Sequence, residues 1–295
     1  DADVDVGRAY DPSLGYWVNG GQVTLNSTAN ALPHFGLGEV TVSTAGGTSA
    51  ALNLKLLRPG DDSTAVGGLG DVAIDPVTGA LWVVNTVSPG HLLRIDEASG
   101  QVVQRIEMSD DFGSTYGSSY MGLQVLGQAM SLNGSLVPAG SLLLFNGVSY
   151  PDRVVAIDPG DGSVIASLVL EENHDMPAGV FDATSGHLFV LSLATNQLVE
   201  IDPASGLTVD RFGLAQAVGY NSGLAIDPLS GNFWIGADSG GSELVEIDRA
   251  GSEIRRVDLS SQDVKNNEIA GLAFAPDGSL RVASALGVVY RVDLT

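Results

Sequence analysis

One short text recurs along this chain, and its period constrains the fold more than any other feature. It is an apolar run closed by an Ile-Asp or Val-Asp step. The copies are Leu92-Leu93-Arg94-Ile95-Asp96, Val154-Val155-Ala156-Ile157-Asp158, Leu198-Val199-Glu200-Ile201-Asp202, Leu244-Val245-Glu246-Ile247-Asp248 and Val289-Tyr290-Arg291-Val292-Asp293. Their aspartates stand 62, 44, 46 and 45 residues apart. A steady period of this length marks a repeat architecture in which each copy is one supersecondary unit.

A second text precedes the first in four of the units. It reads Val72-Ala73-Ile74-Asp75-Pro76, a turn at Gly79, then Leu81-Trp82-Val83-Val84. Its relatives start at Gly179, Leu224 and Leu272, with turn glycines at Gly186, Gly231 and Gly278. Each is a β run, a turn built from Asp, Pro and Gly, and a second β run. The Ile-Asp text supplies a third strand. A fourth follows the next glycine, as in Gln101-Val102-Val103-Gln104-Arg105-Ile106. Inner strands are apolar on both faces and outer ones alternate, as in Glu253-Ile254-Arg255-Arg256-Val257-Asp258. Four strands per repeat predict an all-β fold, a β-propeller of four-stranded blades.

Five blades are legible over residues 67–295. The second carries an insertion near Gly127–Gly140, which accounts for the 62-residue step. The stretch from Met121 to Leu132 carries the one hint of a helical turn. The fifth copy ends just after its third strand, and an open ring would leave unpaired sheet edges. Residues 1–66 therefore read as a degenerate first blade plus a strand that closes the ring, giving six blades. The alternative is an Ig-like remnant, suggested by Val40-Thr41-Val42-Ser43-Thr44. Arg58–Gly67 reads as a surface loop.

Charge narrows the partners. Thirteen Lys and Arg stand against 35 Asp and Glu, a net charge of −22. Such a surface repels nucleic acid and anionic lipid and attracts cations. No apolar run is long enough for a membrane helix, so membrane insertion is not expected. The opening Asp-Ala-Asp-Val-Asp-Val is not the basic start of a signal peptide, so the chain reads as mature or as part of a longer one. With no cysteine there are no disulfides, thiolate metal sites or Cys nucleophiles. The acidic, cysteine-free, glycine-rich composition fits a module of a bacterial secreted or cell-surface protein.

The propeller reading sorts the polar residues. Loops from the fourth strand of one blade to the first of the next share a face with the second-to-third loops, around the channel mouth. They carry Asp71, Tyr120, His174 with Asp175, Tyr220 with Asn221, and Asn267 with Glu268; the other set adds Asn85, Asn146 and Asp238. Tyr120, His174, Asn221 and Asn267 are the expected ligand contacts, at the usual position of a concave site. Glu268, Asp175 and Asp238 offer oxygens suited to Ca²⁺. The Asp-Pro-Gly turns lie on the opposite face. Trp17, Trp82 and Trp234 sit on second strands, where they pack between blades or, exposed, would stack on sugar.

Ser222-Gly223-Leu224-Ala225-Ile226-Asp227-Pro228 and Glu268-Ile269-Ala270-Gly271-Leu272-Ala273-Phe274 resemble the six-bladed NHL-repeat, gluconolactonase-like and SdiA-regulated propeller families. The resemblance implies a propeller, and for the gluconolactonase-like members a metal held by Glu, Asn and Asp. It leaves the chemistry open, because these residues encode strand and turn.

No catalytic set is legible. His34, His91 and His187 fall on separate elements, no His-x-x-x-His spacing supports zinc, and no Gly-x-Ser-x-Gly elbow precedes a helix. His174 beside Asp175 is the one pair that could act as a base and its orienter. The leading reading is a non-catalytic binding or spacer module, such as part of an adhesin, taking a glycan or a surface protein or peptide, with Ca²⁺. The others are a metal-dependent lactonase-like hydrolase and a pure scaffold. A lectin calls for an exposed aromatic beside Asp or Asn; a hydrolase calls for one divalent ion with an open position.

Overall fold

A computed structural model of the chain describes residues 68–295 apart from 87–89, 98–99, 115–117, 119, 238–242, 260–268, 286, 293 and 295. Before residue 68 it describes only five short strands, β1 (Asp3–Val4), β2 (Ala9–Asp11), β3 (Tyr16–Val18), β4 (Gln22–Thr24) and β5 (Thr41–Ser43). β4 pairs with β1 and β5, and β2 with β3. The expectation of a degenerate blade and closing strand over 1–66 otherwise lies outside the described residues.

The repeats become antiparallel sheets. The first blade is β6 (Leu69–Ile74), β7 (Leu81–Asn85), β8 (His91–Ile95) and β9 (Val102–Glu107), paired in that order. The second is β10 (Met121–Val125), β13 (Leu142–Asn146), β14 (Arg153–Ile157) and β15 (Val164–Val169). Its insertion is a hairpin, β11 (Met130–Leu132) with β12 (Ser135–Val137). Met121–Val125 is strand, not the helical turn expected there: every residue of it pairs with β13. The third blade is β16 (Gly179–Asp182), β17 (His187–Ser192), β18 (Gln197–Ile201) and β19 (Thr208–Gly213). The fourth is β20 (Leu224–Ile226), β21 (Phe233–Ala237), β22 (Glu243–Ile247) and β23 (Glu253–Asp258). The fifth has three described strands, β24 (Ile269–Phe274), β25 (Leu280–Ser284) and β26 (Val289–Val292).

The core lies between blades. Five buried apolar clusters fill five interfaces, because a sheet with two apolar faces must cover both. The cluster of Leu69, Val83 and Leu93 with Ala275, Ala283 and Val289 joins the fifth blade directly to the first. Inner strand β6 accordingly packs on both β10 and β24. The circle formed by the described residues thus has five blades; the sixth preferred from the sequence falls on residues 1–66, outside the described ones. Each buried Leu, Ile or Val in these clusters contributes about 2 kcal/mol of transfer free energy.

At the axis the inner strands meet closely. A Cβ on Gly271 would fall 2.1 Å from Asp71 Oδ1, and one on Gly223 would fall 2.7 Å from the Gly271 backbone. Only glycine allows that approach. Asp71 is not at the channel mouth, as its place in the text suggests. It is buried in β6, where it accepts the Val72 N–H (2.7 Å) and, from the second blade, the Leu123 N–H (2.6 Å). The Leu272 N–H of the fifth blade also donates to it. One carboxyl therefore ties three blades. Burial drives its pKa well above the usual carboxylate range, although all three N–H donors oppose that rise.

The opposite face repeats one turn. Asp75, Asp182 and Asp227 each accept the N–H two residues on, at 2.9, 3.0 and 2.8 Å. Gly79, Gly186 and Gly231 close the turns at φ of 72°, 78° and 75°, which a side chain rarely adopts. Trp82 and Trp234 are buried, so they pack rather than face sugar.

Candidate functional site at the rim of the ring

On the rim face, among the described residues, four interblade loops are held by different side chains. Thr86 donates its hydroxyl to the Gly68 carbonyl (2.6 Å), and Asn146 donates its amide to the Phe112 carbonyl (2.7 Å). Asp152 accepts the His174 N–H (2.6 Å) and the Asp175 N–H (3.1 Å). Asn196 does most. Its amide donates to the Leu214 and Gln216 carbonyls (3.1 and 3.2 Å), and its oxygen accepts the Val218 N–H (2.7 Å). These clamps come from second-to-third loops and fix the neighbouring loops that carry the candidate residues.

The clamps bring Tyr120, Asp175 and Tyr220 together. The Tyr120 and Tyr220 rings stand at 84° with centroids 5.1 Å apart, an edge-to-face pair. Tyr220 is 55% exposed. The Tyr120 phenol is pushed up to about 12, first by burial, then by its hydrogen bond to Tyr220 and the negative field of Tyr220 and Asp175. Asp175 is exposed, with a left-handed backbone (φ 49°) whose N–H is caught by Asp152. Asp152 is 1% exposed; burial, with Asp175 beside it, lifts its carboxyl to about 6 against two backbone donors.

His174 is 1% exposed, and burial is the first cause that lowers its imidazole pKa. The His174 carbonyl accepts the Ala194 N–H (3.3 Å), which holds this loop to the next blade. Asn221 follows Tyr220 on the rim and is half-buried, within the local hydrogen bonding. Asn267, Glu268 and Asp238 lie outside the described residues. Of the expected calcium ligands only Asp175 is described, and no group of three His, Asp or Glu gathers for a metal among the described residues.

Sequence reasoning placed Tyr220 on this face but not among the contacts, and missed Asp152 and Asn196. Tyr220 carried a signal, an aromatic in an otherwise small and polar loop. Asn196 carried none, since its role depends on a loop 18 to 22 residues away in sequence.

The turn face holds an open groove of about 530 Å³ lined by Asp182, Thr184, Leu229, Ser230 and Arg249. Its charges neutralise each other. Arg249 pairs with Asp182 at 2.7 Å and lies over the Phe233 ring at 4.8 Å. Burial alone would raise the Asp182 carboxyl, but Arg249 and the donors of Thr184 and Ser185 hold it at about 2.

No family model matches the chain, and no curated protein matches it. Among solved structures, Myxococcus xanthus glutaminyl cyclase is similar over 81% of this chain and 95% of its own, at 13% identity and a TM-score of 0.55. The streptogramin B lyase structure covers 81% and 97%, at 11% identity and a TM-score of 0.46. A protein of unknown function from Bacteroides caccae covers 76% and 81%, at 14% identity and 0.44. At such identities the likeness speaks for the fold alone, and this chain is a β-propeller.

Proposed function

We propose that this propeller is a non-catalytic binding module of a secreted or cell-surface protein, taking a glycan or peptide at the rim. One observation carries the reading. Tyr220 is half-exposed and braced edge-on by Tyr120, and Tyr120 in turn lies in the field of the exposed Asp175. An exposed aromatic next to a polar oxygen is the arrangement a ring or side-chain ligand needs. The buried imidazole of His174 supports binding over acid–base chemistry at this mouth. The acidic, cysteine-free composition supports the extracellular setting. Calcium held by Glu268, Asp175 and Asp238 belongs to the same proposal; one ion per chain by mass spectrometry, lost to EDTA with a lower melting temperature, is the supporting result.

The test is an array of oligosaccharides and short peptides probed with the wild-type chain and with Tyr220→Ala. The expected result is at least one binder whose affinity falls about tenfold in the variant, the scale of a buried aromatic contact. An array with no binder, or binders indifferent to Tyr220, contradicts the reading and returns the chain to a scaffold.

A further inference from the structure

We propose that Arg153 receives the terminal carboxylate of a peptide at the rim. The inference rests on the rim being the binding face and names the group of the ligand that is fixed there.

Arg153 opens β14, opposite Asn146 at the end of β13. Its side chain lies against the loop that leaves the first blade. A 3-10 turn there, Asp110–Phe112, ends at Gly113 with a φ of 87°. A Cβ on Gly113 would fall 2.9 Å from Arg153 Cδ, 3.1 Å from its Nε and 3.0 Å from Asn146 Nδ2. The arginine stem thus rests in a notch that a side chain at Gly113 would fill. Asn146 is fixed beside it by donating to the Phe112 carbonyl. The notch adjoins the tyrosine pair, because the Gly147 N–H donates to the Tyr120 carbonyl (2.9 Å). Tyr150, in the loop that leads into Arg153, is exposed.

This arginine stands apart in a molecule where acids are plentiful. Arg211, Arg249, Arg255, Arg256, Arg281 and Arg291 are each ion-paired. Arg153 is in no such pair among the described residues, and its Nε is buried with no acceptor. The nearby acids are engaged elsewhere or leave it alone. Asp152 spends its carboxyl on the His174 and Asp175 N–H groups. Asp110 and Asp111 are exposed and make no ion pair with it. Residues 115–117 and 119 of the same interblade loop contain no acid. A guanidinium that has lost part of its water and gained no counter-charge is stabilised by an anion that completes it. Its planar fork matches a carboxylate through two parallel bonds. The net charge of −22 then narrows the source. It repels a polyanion such as a polyuronate chain, and tolerates a single carboxylate on an otherwise uncharged ligand. The free end of a neutral peptide meets that condition.

Calorimetry on the whole chain tests this with three probes: N-acetyl-Gly-Phe-Ala with a free carboxyl end, the same peptide amidated, and trigalacturonate. The expected result is binding of the free-acid peptide, weakened about tenfold or more by amidation and weakened by added salt. Arg153→Met keeps a stem in the notch and removes the charge. It is expected to weaken the free-acid peptide about tenfold, to leave the amidated one unchanged, and to melt no lower than wild type, because an uncompensated cation is gone. Equal affinity for the two peptides, no binding of the free acid at millimolar concentration, or an unchanged affinity in Arg153→Met each overturns the inference. Trigalacturonate bound while the peptide is not overturns it as well, since the anion then belongs to a glycan. Affinity lost in Arg153→Met and kept in Tyr220→Ala upholds the carboxylate contact and contradicts the aromatic reading of the rim. Affinity lost in Tyr220→Ala and kept in Arg153→Met overturns this inference and leaves the rim as the site.

Discussion

The axis of the ring and its rim solve the same problem in opposite ways. At the axis the chain closes every gap: Gly271 and Gly223 leave no space for a methyl group, and Asp71 is surrounded by donors from three blades. At the rim the described loops are held from below by side chains such as Asp152 and Asn196 and left open above, so Tyr220 and Asp175 are exposed. The difference teaches where this molecule can vary. Contacts that close the circle are shared among blades, so a change there strains several at once. A rim loop is tied at its base by the loops beside it, so its exposed tip can change while its neighbours stay put.

Breaking the axis should cost most. Asp71→Ala strands three buried N–H groups, and a loss of about 3 kcal/mol or more is expected in urea unfolding, with no selective effect on ligand binding. A variant near wild-type stability would mean that the three-blade tie is not what closes the ring. Asn196→Ala removes three hydrogen bonds from one rim loop. It should cost about 2 kcal/mol and weaken rim ligands as well, because Tyr220 is on the freed loop. If stability falls and affinity does not, the clamp holds the fold but not the site.

The turn face provides the control. Asp227→Ala loses its bonds to Leu229 and Ser230, and should cost about 1 kcal/mol with affinity unchanged. The smallest effect is in pH. Asp152 is raised to about 6, so the folded state holds its proton more tightly than the unfolded chain. The stability this gives is full below the ordinary aspartate pKa and is lost as pH rises through about 6. Asp152→Asn keeps a carbonyl for the His174 and Asp175 N–H groups and should flatten that slope between about pH 4 and 6. Asp71 acts in the same direction, so the Asp152 share is best read as the difference between variant and wild type.

What was legible in the sequence follows the same division. The strands and turns repeat, so five copies of one pattern reinforced each other, and Asp75, Asp182 and Asp227 could be read as turn residues from their spacing alone. The direct contact of the fifth blade with the first was not legible. It depends on whether Val289 packs against Leu69, at opposite ends of the repeat array, and no local pattern encodes that contact. Asp71 looked like a loop carboxylate from its place just before the first apolar run; it lies inside β6, where Gly271 of the neighbouring strand comes close enough to leave no room for a Cβ. Of the rim, Tyr120 and Asp175 were found by their place in the repeat. Asp152 was missed because nothing in its sequence surroundings shows that it catches the His174 and Asp175 backbone from the next blade.

The most direct test of the rim is a titration of a binder from the oligosaccharide and peptide array, followed by backbone amide NMR on the intact chain. The account expects shifts confined to residues 113–120, 146–153, 173–176 and 218–222, saturating together, and absent in Tyr220→Ala. Shifts centred instead on Asp182, Ser230 and Arg249 would place the ligand in the turn-face groove and contradict the account.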